Sequence, residues 1–237
     1  MPFNFRFRWI PFIAALLVAA VGIALGNWQT RRAQEKHEIE QRMVERAQVP
    51  ALALSGANDA PADIEFMNVT IRGEYLPNWT VYLDNRPYKG TPGFYALTPL
   101  KIAGSDMHVL VSRGWIKRDV ADRTRLPQIP TPAGTVEING VVRNTSSRLL
   151  QLGKAEPIKP NAIVQNAEAV DIGRAAKLRI YPFVVEQMTD THDGLVRDWP
   201  RPSAGEDKHR GYAFQWYALA ATALLFFVVT GFRRGRK

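Results

Sequence analysis

Two uncharged runs interrupt an otherwise mixed pattern of apolar and polar positions. One is WIPFIAALLVAAVGIALG, Trp9 to Gly26, 18 residues; the other, Tyr212 to Phe232, has 21. As helices they measure about 27 and about 31 Å, enough to cross the hydrocarbon core of a bilayer. They predict transmembrane helices over 9–26 and 209–232, the second including the mouth at which it enters the membrane. A cleaved signal peptide is the alternative for the first, because Arg6 and Arg8 precede it and Ala24 to Gly26 forms a small-residue site. Its length exceeds the apolar core of about 7 to 15 residues usual in such peptides.

Between the runs the pattern changes twice. Asn27 to Gln48 is rich in helix formers and lacks Gly and Pro, so the first helix is expected to continue as a 27–49 extension and stop at Pro50. ALSGANDAPADIE then reads as a linker. Beyond it, VTIRGEY alternates apolar and polar residues, TVEINGVV does so in part, and MHVLVSRGW and IYPFVVEQM are rich in β-branched and aromatic residues. Ala103 to Asp106 (AGSD) reads as a hairpin turn between YALTPLKI and MHVLVSRGW. LPQIPTPAG is a proline-rich connection within the domain, and DWPRPSAGEDK leads back to the membrane. The expected fold is a membrane protein with two transmembrane helices flanking a mainly β domain, barrel- or sandwich-like, over 50–208.

Charge sets the expected orientation. Arg233, Arg234, Arg236 and Lys237 follow the second helix, which places the 233–237 tail in the cytoplasm. Two spans then put the 1–8 segment on the same side and the central domain outside. The first apolar run starts at Trp9, which leaves little room for an organelle presequence and points to a bacterial inner membrane. The net charge of +9 is dispersed rather than clustered in a nucleic-acid motif, and part of it suits anionic lipid. Among the 237 residues there is no cysteine, which excludes thiolate metal sites, CxxCH haem attachment and thiol redox chemistry.

The chain contains no GxSxG, HExxH, Walker A or GxGxxG motif, so no enzymatic activity is expected. THDG (Thr191 to Gly194) places His beside Asp, but neighbours in a strand point apart and the Gly marks a turn; it reads as a surface loop. His108, at the start of a strand, reads as an ordinary packed or solvated histidine. His209 stands out because Tyr212, Trp216 and Tyr217 accompany it at the entrance to an apolar helix.

Four boxes, LGNWQTRR, YLDNRPYKGTPGFYALTPL (Tyr82 to Leu100), VLVSRGWI (Val109 to Ile116) and HRGYAFQWYALA (His209 to Ala220), stand in the order and at roughly the spacing of the SURF1 (Shy1) family, which the chain resembles over almost its whole length. The resemblance implies a role in assembling cytochrome c oxidase, with haem a bound and passed to the catalytic subunit. The implied partners are oxidase subunit I and haem a synthase, besides membrane lipid. His209, Tyr212, Trp216 and Tyr217 match the family pattern H-x-x-Y-x-x-x-W-[FY], although Lys208 and Arg210 flank the histidine where relatives carry neutral residues.

A haem a site needs an iron ligand, an apolar slot and partners for the propionates. On these grounds His209 is the expected ligand, with Trp216, Tyr212, Trp28 and Gln29 around the slot and Arg32 and Arg210 near the propionates. The plainer reading is an aromatic belt anchoring a helix end at the bilayer surface. His37, the other candidate ligand, stands about 16 Å above the first span against about 4.5 Å for His209, which disfavours the pair. In the central boxes, Asp84, Asn85, Arg86, Arg113 and Trp115 read as turn and core residues, with an oxidase-docking surface as the functional alternative. Two functions follow: a haem a-binding assembly factor, or a scaffold that stabilises an early oxidase intermediate without cofactor.

Overall fold

A computed structural model describes residues 3–57, 60, 61, 63–145, 148–150 and 156–234. In chain order the elements are β1 (Phe3–Phe5), α1 (Trp9–Ala47), β2 (Leu52–Leu54), β3 (Asn68–Tyr75), β4 (Val81–Leu83), β5 (Gly93–Ile102), β6 (Met107–Lys117), β7 (Val136–Arg143), β8 (Ile163–Val164), α2 (Ala169–Ala176), β9 (Arg179–Gln187), α3 (Glu206–Gly231) and β10 (Phe232–Arg234). They form two compact units, Met1–Arg42 with Pro200–Lys237, and Met43–Trp199. Arg236 and Lys237 of the expected basic tail lie outside the described residues.

In the first unit, α1 runs for 39 residues, about 58 Å, so the apolar run and the polar helix-forming segment beyond it are one element. It ends at Ala47, ahead of Pro50, because the residue preceding a proline is disfavoured in the α region. The 26 residues of α3 follow Gly205, whose φ of 99° turns the chain, and Glu206 and Asp207 set negative charge at the positive end of the helix dipole. Both helices are long and apolar enough to cross a membrane. Their outward residues, among them Ile10, Leu17, Phe214 and Phe226, are exposed and apolar, as a lipid-facing surface requires. The backbone of β1 pairs antiparallel with β10.

The second unit is a barrel. Its strands are ordered β2-β3-β7-β9-β6-β5-β4-β8, and β3 also pairs with β5. Asn68 to Gly73 of β3 pair with β7, while Gly73 to Tyr75 pair with Ile102 to Leu100 of β5, which closes a ring of β3, β7, β9, β6 and β5. A closed ring of five strands cannot alternate direction throughout. One pair must be parallel, and it is β6 with β9. Val69, Ile71, Leu100, Val109, Val111, Ile138, Val142, Phe183 and Val185 fill the interior. Leu83, Leu97, Leu110 and Val184 point the other way and are covered by Ala169 and Ile172 of α2. Strand β6 is therefore buried on both faces, which explains why MHVLVSRGW lacks strict alternation.

One expectation is corrected. The segment after Pro50 is not wholly a linker, since Leu52 to Leu54 form β2, parallel to Val69 to Ile71, and bury Leu54 against the barrel core. The domain is mainly β, as expected, and its helix α2 covers the outer faces of β6 and β9. The hairpin at Ala103 to Asp106 forms where its turn residues place it, β3 and β7 where alternation does, and β6 and β9 where β-branched and aromatic residues cluster.

On the outer face, Leu83, Tyr95, Ser112, Arg143, Thr145, Val184, Glu186 and Trp199 line a small cavity. Burial there pushes the Glu186 carboxyl from its ordinary 4.5 up to about 7, against the opposing pull of Arg143. The folded chain thus holds a proton that the unfolded chain releases. The resulting stability is complete below 4.5 and is lost as pH rises toward 7, about 3 kcal/mol in all. Urea unfolding of the full chain in detergent should show wild type losing about 2 to 3 kcal/mol between pH 5 and pH 8 relative to Glu186→Gln; parallel pH profiles would refute this origin.

Candidate functional site

The first unit is organised by a seam of small residues. Ala15, Ala19, Gly22, Gly26, Gln29 and Ala33 are the buried positions of α1, at alternating spacings of four and three, and Ala213 and Ala220 are buried on α3. The glycines permit close approach. A Cβ on Gly22 would stand 2.9 Å from the Trp216 carbonyl oxygen and 3.0 Å from the Ala220 Cβ; one on Gly26 would stand 2.5 Å from the Tyr217 ring. Such a small-xxx-small interface lets two backbones pack where lipid offers no hydrophobic drive.

Above Gly26 the seam turns polar. His209, in the first turn of α3, has its Nδ1 2.7 Å from Gln29 Oε1. Tyr217 Oη donates to Asn27 Oδ1 at 2.8 Å and lies 3.3 Å from Thr30 Oγ1. Farther along, Lys36 Nζ donates to the Pro202 carbonyl at 2.6 Å, Ser203 Oγ donates to Glu40, and His37 Nδ1 lies 3.4 Å from Glu206 Oε2. Each contact joins α1 to α3 or to the turn before it.

The arrangement brings together some of the expected residues. His209 and Gln29 touch, and Trp216 is half-buried on the same face of α3 one to two turns below. Trp28 and Tyr212 are about half exposed. At about 100° per residue they fall on one flank of the helix pair, with Arg32, opposite the flank where Tyr217 meets Asn27. The two cations are already paired, Arg32 with Glu35 and Arg210 with Glu206, each at 2.6 Å. Such exposed pairs contribute about 0 to 1 kcal/mol and exchange readily with another carboxylate. His37 sits eight residues beyond Gln29, about 12 Å along the axis, and its Nε2 lies 3.0 Å from Gln41 Nε2, so it does not converge with His209. Asn27, Thr30 and Glu206 also contribute, although no motif in the sequence singles them out. The i, i+3 spacing from Asn27 to Thr30 beside the seam glycines was the available signal.

The central boxes lie in the second unit and form a polar core. Arg113 is the extra residue of a bulge, since Ala96 faces Gly114 while Leu97 faces Ser112. It is fully buried, donates to Thr131 Oγ1, to the Pro130 carbonyl and to Asp193 Oδ2 at 2.7, 2.8 and 3.0 Å, and lies over the Tyr75 ring. Burial would raise the Asp193 carboxyl, but hydrogen bonds from Arg197, Thr191 and the Leu195 N–H hold it below the usual carboxylate range. The THDG segment is thus only partly a surface loop: His192 is exposed, Asp193 is not. His108 is buried, with Nδ1 3.1 Å from the Arg179 carbonyl. Trp115 is buried and donates to the Arg86 carbonyl at 2.6 Å, and the buried Arg86 donates to the carbonyls of Asp84 and Gln165. Tyr88 and Thr91 exchange hydrogen bonds around Lys89 and Gly90, both at positive φ, as a turn with φ above zero at both central residues requires. Of the five docking candidates, Asn85 is exposed, Asp84 is half-buried, and Arg86, Arg113 and Trp115 are enclosed.

Asp193 neutralises two guanidinium groups, whereas Arg113 loss leaves Asp193 still paired with Arg197 at 2.7 Å. Asp193→Ala should therefore cost about 3 to 5 kcal/mol, and Arg113→Met, which keeps apolar volume, clearly less, read from urea unfolding of the full chain. Equal costs would contradict this ordering.

The SURF1 family model matches residues 16–221. A SURF1-like protein of Rickettsia felis is 25% identical over 225 residues, covering 92% of this chain and 95% of the relative. Surfeit locus protein 1 of Takifugu rubripes is 25% identical over 234 residues, covering 90% and 93%, and that of Rattus norvegicus is 24% identical over 230 residues, covering 90% and 73%. The matched span includes α1 from Leu16, the whole barrel, and α3 as far as Ala221.

Proposed function

The chain belongs to the SURF1 family, and on that premise we propose that it assists assembly of cytochrome c oxidase by binding haem a at the mouth of its helix pair, with His209 as the iron ligand. Haem a is the cargo, haem a synthase its source and oxidase subunit I its destination. The protein sits in a bacterial inner membrane with both termini in the cytoplasm and the barrel outside, as the basic residues after α3 indicate.

The observation that carries this reading is the pairing of His209 with Gln29. A single imidazole stands at the polar end of an apolar seam, one ring nitrogen engaged and, among the described residues, no hydrogen bond to the other. An aromatic belt alone would not require that arrangement. Trp28 and Tyr212 on one flank offer apolar surface for a macrocycle; Arg32 on that flank can exchange its glutamate for a propionate, while Arg210, seven residues before Tyr217, stands on the other. Glu206 offsets the charge that Lys208 and Arg210 bring to the histidine's surroundings.

Reduced-minus-oxidised spectra of protein purified from cells making haem a, wild type beside His209→Ala, test the reading. Wild type should show a haem a band. The variant should lose more than the roughly 10- to 100-fold in affinity that removal of a mere supporting group costs, with helical content unchanged. A protein on which oxidase assembly still depends, but which shows no band in either form, is the cofactor-independent scaffold instead.

A further inference from the structure

Resting on the haem a reading, we propose that Gln29 is a positioning residue for His209: its side-chain carbonyl holds the ring as the Nδ1–H tautomer and so makes Nε2 the nitrogen presented to iron. A neutral imidazole has one donor and one acceptor nitrogen. Gln29 Oε1, 2.7 Å from Nδ1, can only accept, so the proton resides on Nδ1 and the lone pair on Nε2. A hydrogen bond to the far nitrogen both orients a ligating imidazole and raises its basicity.

Gln29 suits the task because it has little freedom. It occupies a seam position between Gly26 and Ala33 and is buried, and the glycine contacts one and two turns below fix its height against α3. The other histidines lack this combination. His37 has groups at both nitrogens, Glu206 and Gln41. His108 also commits Nδ1 to a carbonyl, but its ring is enclosed in the barrel. His192 is an exposed loop residue beside Asp190. Only His209 joins a committed Nδ1 to a place at the mouth of the helix pair.

The test needs two readouts on the full chain in detergent. In haem-free protein labelled with 15N-histidine, at a pH where the ring is neutral, two-bond nitrogen–proton couplings report the tautomer. Wild type should show Nδ1–H for His209, and Gln29→Leu should revert toward the Nε2–H form that unconstrained imidazoles favour. With haem a added, Gln29→Leu should bind about 10- to 100-fold more weakly. Gln29→Glu should keep binding, raise the iron–histidine stretching frequency and lower the midpoint potential, because a carboxylate pulls harder on the Nδ1 proton. That second variant carries the test if Gln29→Leu fails to insert.

An Nε2–H tautomer in wild type, or stretching frequency and affinity unchanged in both variants, would overturn the role of Gln29 while leaving His209 a ligand. A wild-type Nδ1–H tautomer without any haem a binding would instead overturn the haem a reading, and the ligand role with it.

Discussion

Close approach of two backbones is the constraint on which the membrane unit depends. Beside Trp216, Tyr217 and Ala220 there is no room for a Cβ on Gly22 or Gly26, so the helices meet at a definite height. A slip of one turn, about 5.4 Å, would set His209 against Gly26 or Ala33 instead of Gln29. The polar contacts above the glycines, from Asn27 with Tyr217 to Glu40 with Ser203, all share that register. The site's precision is therefore a property of residues that take no part in its chemistry.

The barrel meets a different constraint with different means. Its odd-numbered ring forces one parallel pair, and the chain reaches that pairing by running from β6 through β7, β8 and α2 before returning as β9. At the bulge beside this pair, Arg113 enters an otherwise apolar region and needs an opposite charge. Asp193 supplies it, with Arg197, Thr191 and Tyr75 around the pair. Tyr75 in turn donates to Gln187 Oε1 at 2.6 Å, and burial pushes its phenol upward. Each residue of this cluster has at least one polar partner, while the Nε atoms of Arg113 and Arg197 are buried without one, so the network is held chiefly through the terminal guanidinium nitrogens.

Local pattern made much of this legible. Uncharged runs marked both spans, the absence of Gly and Pro marked the extension of α1, alternation marked β3 and, in part, β7, and the AGSD turn between β-forming segments marked the hairpin of β5 and β6. Contacts between distant segments left no such trace. Gln29 and His209 are 180 residues apart, Arg113 and Asp193 are 80 apart, and nothing local says that they meet. An arginine within VLVSRGWI does signal a missing counter-charge once the strand is known to be buried on both faces. Strand β2 was hidden because three residues between turn formers carry too little periodicity, and α2 because eight residues fall below the length at which a helical pattern stands out.

The strand order also dictates when the domain can become whole. Strand β9 lies between β7 and β6 in the ring, yet it is the last strand of the barrel to be synthesised. Until Arg179 to Gln187 arrive, the earlier strands must wait with unpaired edges, a state prone to aggregation and slow to resolve because its closing contacts are distant in sequence. Only 18 residues separate the end of β9 from the start of α3. Completion of the barrel and synthesis of the second apolar helix thus fall close together in the life of the nascent chain, which makes the domain a late folder that must be kept from misassembly for most of its synthesis.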